Sequence, residues 1–346
     1  MKVFLIGPID KGNIPTNGVT MKNQLFEIRF KELFEEVKTI DTWSISKKPW
    51  VIFKILNALL FNKNAKFVFS GGHTIRHIVN FLNFLKLRRN VYFWVAGGSI
   101  INAIKSGLYN ISALKRLNAI IVQGKGMAKE LNEMGFPNSV YVPNSKPVVF
   151  KPFLKELDSK QPFKFVFLSR IHPDKGCDDI IKSTSELNSE GRQGRFVVDF
   201  YGPIFELYKN SFLSQIESIA NIHYKGFLNL TEPKGYETLS GYDAMLFPTY
   251  WEGEGFPGVV LDAYIAGLPV IASDWNLNSE VIDNHKSGII IPVHDSESLS
   301  NAMRELMDSE DGNRTMREYC LKQAEEFATK KVISKKLMTY LGFYDK

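Results

Sequence analysis

Residues 251–273 read Trp251-Glu-Gly-Glu254-Gly-Phe-Pro-Gly258-Val-Val-Leu-Asp262-Ala-Tyr-Ile-Ala-Gly267-Leu-Pro-Val-Ile-Ala-Ser273. Pro248 and the Gly253–Pro257 segment break any regular element, and Gly258–Ala266 then has the apolar spacing of a helix. Gly267 stands where a helix stops, and Val270-Ile271-Ala272 is a short buried-strand run. The stretch is therefore a loop, a helix and a buried strand, with its chemistry at the loop-to-helix junction. A helix start preceded by glycines offers unpaired N–H groups and a positive dipole end, both suited to an anion such as a diphosphate. Glu254 in the loop and Asp262 on the helix flank that junction eight residues apart. They are placed to hold different parts of one polyhydroxylated ligand.

At these residues the chain resembles the Glu-x7-Glu signature of retaining nucleotide-sugar glycosyltransferases of family 4. Glu-Gly-Phe, the small residues of Ala-Tyr-Ile-Ala-Gly, and Leu-Pro-Val-Ile-Ala-Ser all stand where that family has them. Two positions depart from it. Asp262 replaces a glutamate and reaches less far, and Pro257 stands where glycine is common, removing one N–H donor. Glu252 competes as the first acid, but only Glu254 keeps both the eight-residue step and the following Gly-Phe. The resemblance implies a GT-B fold: α/β, two Rossmann-like doubly wound domains facing across a cleft.

A chain of 346 residues with 44% hydrophobic content has room for two such domains. The formal net charge of +6 hides a division. Residues 1–150 carry 21 Lys and Arg against 8 Asp and Glu, and residues 151–346 carry 22 against 29, so the halves stand at about +13 and −7. No acid occurs between Asp41 and Glu130, a stretch that holds 14 Lys and Arg. The excess predicts an anionic partner for the first half, such as a membrane surface, lipid phosphate or nucleic acid. Recognisable aromatic nucleic-acid motifs are lacking, so nucleic acid is not expected. Cations bordering aromatics in Lys47–Lys54 and Phe81–Arg89 favour an anionic membrane surface.

Cys177 and Cys320 have neither the number nor the spacing for a disulfide framework or a zinc site, which predicts a cytoplasmic location. The apolar start Met1–Gly7 ends at Pro8 and Asp10, too early for a signal peptide, and reads as the first strand. The run Trp50–Phe61 is interrupted by Lys54 and Asn57 and is well short of the roughly 20 residues a spanning helix needs.

The rhythm of strands and helices runs through both halves. After the first strand comes a loop, Pro8–Thr20, with Gly18, then a helix from about Met21 to Phe34. Segments 50–60, 67–70, 91–95 and 119–122 alternate with helical stretches that include Ile75–Leu87 and Met127–Met134. Tyr141–Ser145 closes the first domain, and the polar stretch Lys155–Gln161 reads as a linker, with the boundary near 148–162. Strands are expected at Phe163–Leu168, Val197–Gly202, Ile222–Phe227 and Tyr242–Pro248. A long amphipathic helix, Arg314–Leu341, carries a break near Ala328-Thr329.

The resemblance assigns residues to roles. It implies an acceptor-binding domain at 1–150, joined by a returning C-terminal helix at about 329–346, and a nucleotide-sugar donor domain at 151–328. Ser169-Arg170-x4-Lys175-Gly176 is similar to the family's Gly-Arg-x4-Lys-Gly segment, in which both cations neutralise the donor diphosphate. Gly18 matches one glycine of a pair that faces the donor phosphate. Phe227 and Leu228 stand where the nucleobase edge is read. Gly255, Phe256, Gly258 and Val259 form the anion-binding junction, and Asp262 takes the ribose. The family's acceptor-side histidine is missing after Val95, and His73, in Ser-Gly-Gly-His, is the nearest substitute as a base; a helix-capping role is its other reading. Glu280 matches a buttressing acid.

The expected activity is that of a retaining glycosyltransferase of hexosyltransferase type, with Glu254, Arg170, Lys175 and His73 as its catalytic residues. It moves a sugar from a UDP- or GDP-sugar to a lipid-linked or polysaccharide acceptor in lipopolysaccharide or other surface-glycan biosynthesis, peripherally on the inner face of the plasma membrane. No resident cofactor or metal is implied, and no Asp-x-Asp tripeptide is present. The alternatives are a GT-B nucleotide-sugar epimerase, a sugar-phosphate synthase, or a non-catalytic sugar-nucleotide-binding protein.

Overall fold

A computed structural model describes residues 1–346 except 14–17, 44, 86–89, 155–160, 310, 312 and 345–346, and excluding the side chains of 73–74 and 82–85. The chain divides into two units, Met1–Lys146 with Thr329–Lys346, and Pro147–Ala328.

The first unit runs β1 (Lys2–Gly7), α1 (Gly18–Leu33), β2 (Glu36–Asp41), α2 (Val51–Phe61), β3 (Lys66–Gly71), α3 (His73–Leu85), β4 (Asn90–Val95), α4 (Ile100–Lys105), α5 (Ile111–Lys115), β5 (Ala119–Val122), α6 (Lys125–Glu133) and β6 (Ser139–Tyr141). Its six strands pair in the order β2-β1-β3-β4-β5-β6, and each adjacent pair is parallel. A parallel sheet needs cover on both faces, which is why β1, β3 and β4 are near-continuous runs of Val, Ile, Leu and aromatic residues.

The second unit runs β7 (Phe163–Leu168), α7 (Cys177–Ser189), β8 (Phe196–Tyr201), α8 (Lys209–Glu217), β9 (Ile222–Gly226), α9 (Pro233–Leu239), β10 (Ala244–Phe247), α10 (Gly258–Ile265), β11 (Val270–Ser273), α11 (Asn278–Val281), β12 (Gly288–Ile291), α12 (Ser296–Met307) and α13 (Arg314–Glu326). Its strands lie in the order β12-β11-β10-β7-β8-β9, again parallel throughout. The chain starts in the middle at β7, builds outward to β9, then returns to build β10 to β12 on the other side. Strand order therefore reverses between β7 and β10, and ligands of such sheets bind outside the carboxyl ends at that reversal.

The last segment returns to the first unit as α14 (Thr329–Val332) and α15 (Lys335–Tyr340). Thr329 donates its amide to the Lys146 carbonyl at 2.9 Å, and Arg29 Nε donates to the Ile333 carbonyl at 2.9 Å. Ile333, Met338, Leu341 and Phe343 join Phe26 and Phe30 of α1, Phe34 just after it, and Tyr92 and Trp94 of β4 in one core. Phe343 stacks on Tyr92 at 4.4 Å and on Phe34 at 5.4 Å.

Three expectations need correction. Residues 50–60 take no part in the strand rhythm: they form α2, and the strand beside β1 is Glu36–Asp41. Apart from Lys54 and Asn57 the run is apolar all round and has no clear period by which to tell the two apart, whereas its 11 residues exceed an ordinary buried strand. Gly18 is the first residue of α1 and not a loop residue. Arg314–Leu341 is interrupted near Ala328-Thr329, as expected, but again after Val332, so it is three helices, α13, α14 and α15. The division at Lys146/Pro147 precedes the 148–162 window, and most of the expected linker Lys155–Gln161 lies outside the described residues.

Candidate functional site

β7 and β10 end side by side, and each feeds a loop carrying residues singled out above. After β7 come Ser169 and Arg170, then His172, a single 3-10 turn at Pro173–Lys175, and Gly176 at the start of α7. His172 Nδ1 accepts from the Asp174 amide at 3.2 Å and so fixes the turn. Gly176 has φ +74°, and a Cβ there would stand 2.2 Å from the Pro248 carbonyl oxygen. Only glycine allows the two loops this approach. They are further tied by the Tyr250 amide, which donates to the Asp174 carbonyl at 2.9 Å.

That docking brings Lys175 to Glu254. The Lys175 ammonium, on a residue only 6% exposed, donates to Glu254 Oε2 in an ion pair. The fully buried Thr249 hydroxyl lies 3.4 Å from the same carboxylate oxygen and accepts from the Trp251 amide at 3.3 Å. Both cations lie over Trp251, with the Arg170 guanidinium 5.1 Å and the Lys175 ammonium 5.7 Å from its ring centroid. His172 meets the same indole edge-on at 5.1 Å. Arg170 is exposed, so its charge faces solvent while it remains over the ring. Glu252 is exposed as well, and Glu254, not Glu252, is the acid that the fold joins to Lys175.

The loop 248–257 is held from the β11 side. Trp275 Nε1 donates to the Trp251 carbonyl at 2.8 Å, Asn276 Nδ2 donates to the Glu254 carbonyl at 3.1 Å, and Ser273 Oγ donates to the Thr249 carbonyl. Phe256 is buried edge-on against Phe327 at 5.6 Å, so it anchors the loop, and Gly255 precedes it half-buried. α10 then begins at Gly258, with Pro257 as its cap residue and no side-chain cap. First-turn N–H groups have no acceptor within their own helix. The Val260 amide turns to the Pro257 carbonyl, which leaves Gly258 and Val259 to present theirs at the helix start.

Asp262 lies one turn further on and is only 4% exposed. Its Oδ1 accepts from the Tyr236 hydroxyl at 2.7 Å. Burial, then the neighbouring Asp262 charge, pushes the Tyr236 hydroxyl far above its ordinary value, so it remains a donor. The second acid is thus clamped from α9, which residue spacing does not reveal.

The other expected site residues lie elsewhere. Phe227 and Leu228 follow β9, the edge strand, with Phe227 67% exposed beyond the left-handed Gly226. Gly18 and His73 belong to the first unit, as the first residues of α1 and α3. The side chain of His73 lies outside the described residues. Thr249, Trp251, His172 and Tyr236 were not among the expected site residues. Trp251 was visible as the aromatic opening the signature stretch, but the other three carry no signal outside the fold.

A family model for glycosyl transferases group 1 matches residues 151–327. The chain is 27% identical over 206 residues to an exopolysaccharide phosphotransferase of Streptomyces coelicolor, covering 59% of this chain and 21% of that one. It is 25% identical over 177 residues to the UDP-Gal:alpha-D-GlcNAc-diphosphoundecaprenol alpha-1,3-galactosyltransferase of Escherichia coli, covering 50% and 44%. The chain therefore spans less than half the length of either relative. Among solved structures, HepE of Anabaena in complex with UDP superposes at a TM-score of 0.73 with 13% identity, over 99% of this chain and 100% of that one. At that identity the likeness establishes the fold alone, two Rossmann-like domains of the GT-B kind.

Proposed function

The chain belongs to the glycosyl transferases group 1 family, and from that premise we propose that it is a retaining glycosyltransferase of family 4. It transfers a sugar from a nucleotide-sugar donor, UDP- or GDP-linked, to a lipid-linked or polysaccharide acceptor of a surface glycan. The relatives named above act in exopolysaccharide and undecaprenol-diphosphate-linked glycan chemistry, which supports the acceptor class. Such an acceptor is met at the cytoplasmic face of the plasma membrane.

The observation that carries the reading is the group formed by Arg170, Lys175, Trp251 and Glu254 at the point where strand order reverses, four residues before the open start of α10. Arg170, Lys175 and the Gly258 and Val259 amides supply positive charge for a departing diphosphate, whose charge grows as the sugar–phosphate bond breaks. These groups are fixed before the donor arrives, so little reorganisation is needed in the reaction. They take the place a metal ion holds in other transferases. Glu254 holds sugar hydroxyls while sharing Lys175, and Asp262, clamped by Tyr236, takes the ribose. Phe227 and Leu228 border the base, Gly18 gives room at the phosphate, and His73 serves the acceptor hydroxyl. The acceptor attacks from the face the diphosphate leaves, with no covalent enzyme intermediate.

Thermal denaturation across UDP-, GDP- and ADP-sugars tests the donor class, since a ligand at a hundred times its Kd stabilises by about 2.7 kcal/mol. Arg170→Ala and Lys175→Ala should each remove that shift and lower turnover by tens- to thousands-fold, on the scale of about 2–4 kcal/mol for a group facing transition-state charge. Full activity in both single variants would falsify the diphosphate assignment.

A further inference from the structure

Helix α2 is mostly apolar on the side that should face water, where Lys54 and Asn57 are its polar residues. Val51, Ile55, Ala58 and Leu59 are buried against the first unit, as an amphipathic helix requires. The opposite side carries Ile52, Phe53, Leu60 and Phe61, all exposed, and Trp50 at its head is exposed too. Phe53 is 73% and Phe61 79% exposed, and the two residues lie two turns apart. A surface helix of a globular domain normally turns a polar face outward. Single exposed apolar residues need no explanation, whereas a line of them along one helix marks a contact surface.

Charge around the helix identifies the contact. Lys47 and Lys48 precede it, Lys54 lies within it, and all three are exposed. No carboxylate is encoded from Thr42 to Lys129, so nothing local to this segment balances them. Protein interfaces deplete lysine, whereas an interfacial helix pairs a rim of lysines with inserted aromatic residues. Lysine stems lie along the apolar surface while their ammonium groups stay at the level of the phosphates.

We propose that α2, led by Trp50 and rimmed by Lys47, Lys48 and Lys54, is a docking surface for an anionic lipid bilayer, with Phe53 and Phe61 entering the headgroup boundary. The surface belongs to the first unit alone and does not need the sugar-transfer reading. Among the described residues no helix is long and apolar enough to cross a membrane, so the attachment is to one face of the bilayer. The second basic–aromatic segment, Phe81–Arg89, has Phe81 exposed on α3, but Lys86, Arg88 and Arg89 lie outside the described residues and take no part in the argument.

The test is co-sedimentation of the full chain with phosphatidylcholine vesicles with and without phosphatidylglycerol. Binding should require phosphatidylglycerol, weaken as salt is added, and shift Trp50 emission to the blue. Changing Lys47, Lys48 and Lys54 together to Ser should lower partitioning by about a hundredfold, at roughly fivefold per cation near an anionic surface. Phe53→Ser with Phe61→Ser should lower it at constant charge and abolish the blue shift. These side chains are exposed, so far-ultraviolet circular dichroism of both variants should match the parent and separate lost docking from lost folding. Binding that ignores lipid charge, no binding at all, or aromatic substitutions that dissolve a self-associated form without changing vesicle binding would each overturn the proposal.

Discussion

At the scale of single residues, the sequence names Lys175 and Glu254 in two separate motifs, but their partnership is a product of the fold, since 79 positions separate them. Glu254→Gln keeps the length and the acceptor oxygen while removing the charge that Lys175 pairs with. We expect turnover to fall on the order of a hundredfold, as for other groups that stabilise transition-state charge. Stability should fall by only about 1 kcal/mol, because a carbonyl acceptor remains for the ammonium. If Glu252→Gln is the inactive variant and Glu254→Gln is normal, the wrong acid has been assigned. Another residue-scale feature went unread in the sequence because burial is invisible there. Lys22 on α1 is buried, with its ammonium 3.3 Å from the Val95 carbonyl and 5.6 Å from the Phe26 ring centroid. Burial lowers its pKa from the ordinary 10.5 to about 7. Below pH 7 the group is charged in both folded and unfolded chains, and the folded chain bears the full cost of burying it. Between about pH 7 and 10.5 the unfolded chain holds a proton that the folded chain has released, so this residue makes stability rise with pH. Lys22→Met should therefore be more stable than the parent at pH 6, with the gap closing toward pH 10. Denaturant titrations at both values decide it, and a constant difference across the range would remove the buried lysine as its cause.

At the scale of elements, the strand–loop–helix units of the second half were legible because their signals agree. Phe163–Leu168, Ala244–Phe247 and Val270–Ser273 are short apolar runs bounded by turn residues, and each is a central strand. α2 was not legible as a helix because it is mostly apolar on both sides, the same property that marks it as a contact surface. β2 was missed for the opposite reason. Glu36-Val-Lys-Thr-Ile-Asp41 is a half-exposed edge strand that carries three charged residues, Glu36, Lys38 and Asp41, and its pairing with β1 is what makes it a strand. The element-scale prediction concerns the junction of the 3-10 turn with α7. Gly176→Ala would place a methyl 2.2 Å from the Pro248 carbonyl oxygen at a φ that side chains avoid, so one of the two loops must withdraw. The strain is worth about 1–3 kcal/mol. Thermal denaturation should show the loss, and nucleotide-sugar binding should weaken further than the stability change accounts for, because Lys175 is carried on the displaced loop. Unaltered binding with lowered stability would separate the loop contact from the site.

At the scale of the whole molecule, the doubly wound architecture was readable from the alternation of elements, while the strand orders, β2-β1-β3-β4-β5-β6 and β12-β11-β10-β7-β8-β9, were not. The placement of the C-terminal segment had no basis in periodicity either. α14 and α15 are short, and their apolar residues are chemically equivalent to any others until the fold sets them against α1. That arrangement makes the first unit discontinuous in sequence, because its core is completed by residues more than 180 positions after Lys146. Phe343 tests it. The ring is 4% exposed and stacked between Tyr92 and Phe34, so Phe343→Ala removes a large core side chain at a cost of about 3–5 kcal/mol. The loss belongs to the first unit. Hydrogen exchange followed by mass spectrometry should therefore accelerate in β1 and β4, which line the same core, while β7 and β10 keep their protection. Equal acceleration in both sheets would show that the chain opens as one cooperative body and that the C-terminal segment stabilises more than the unit holding it.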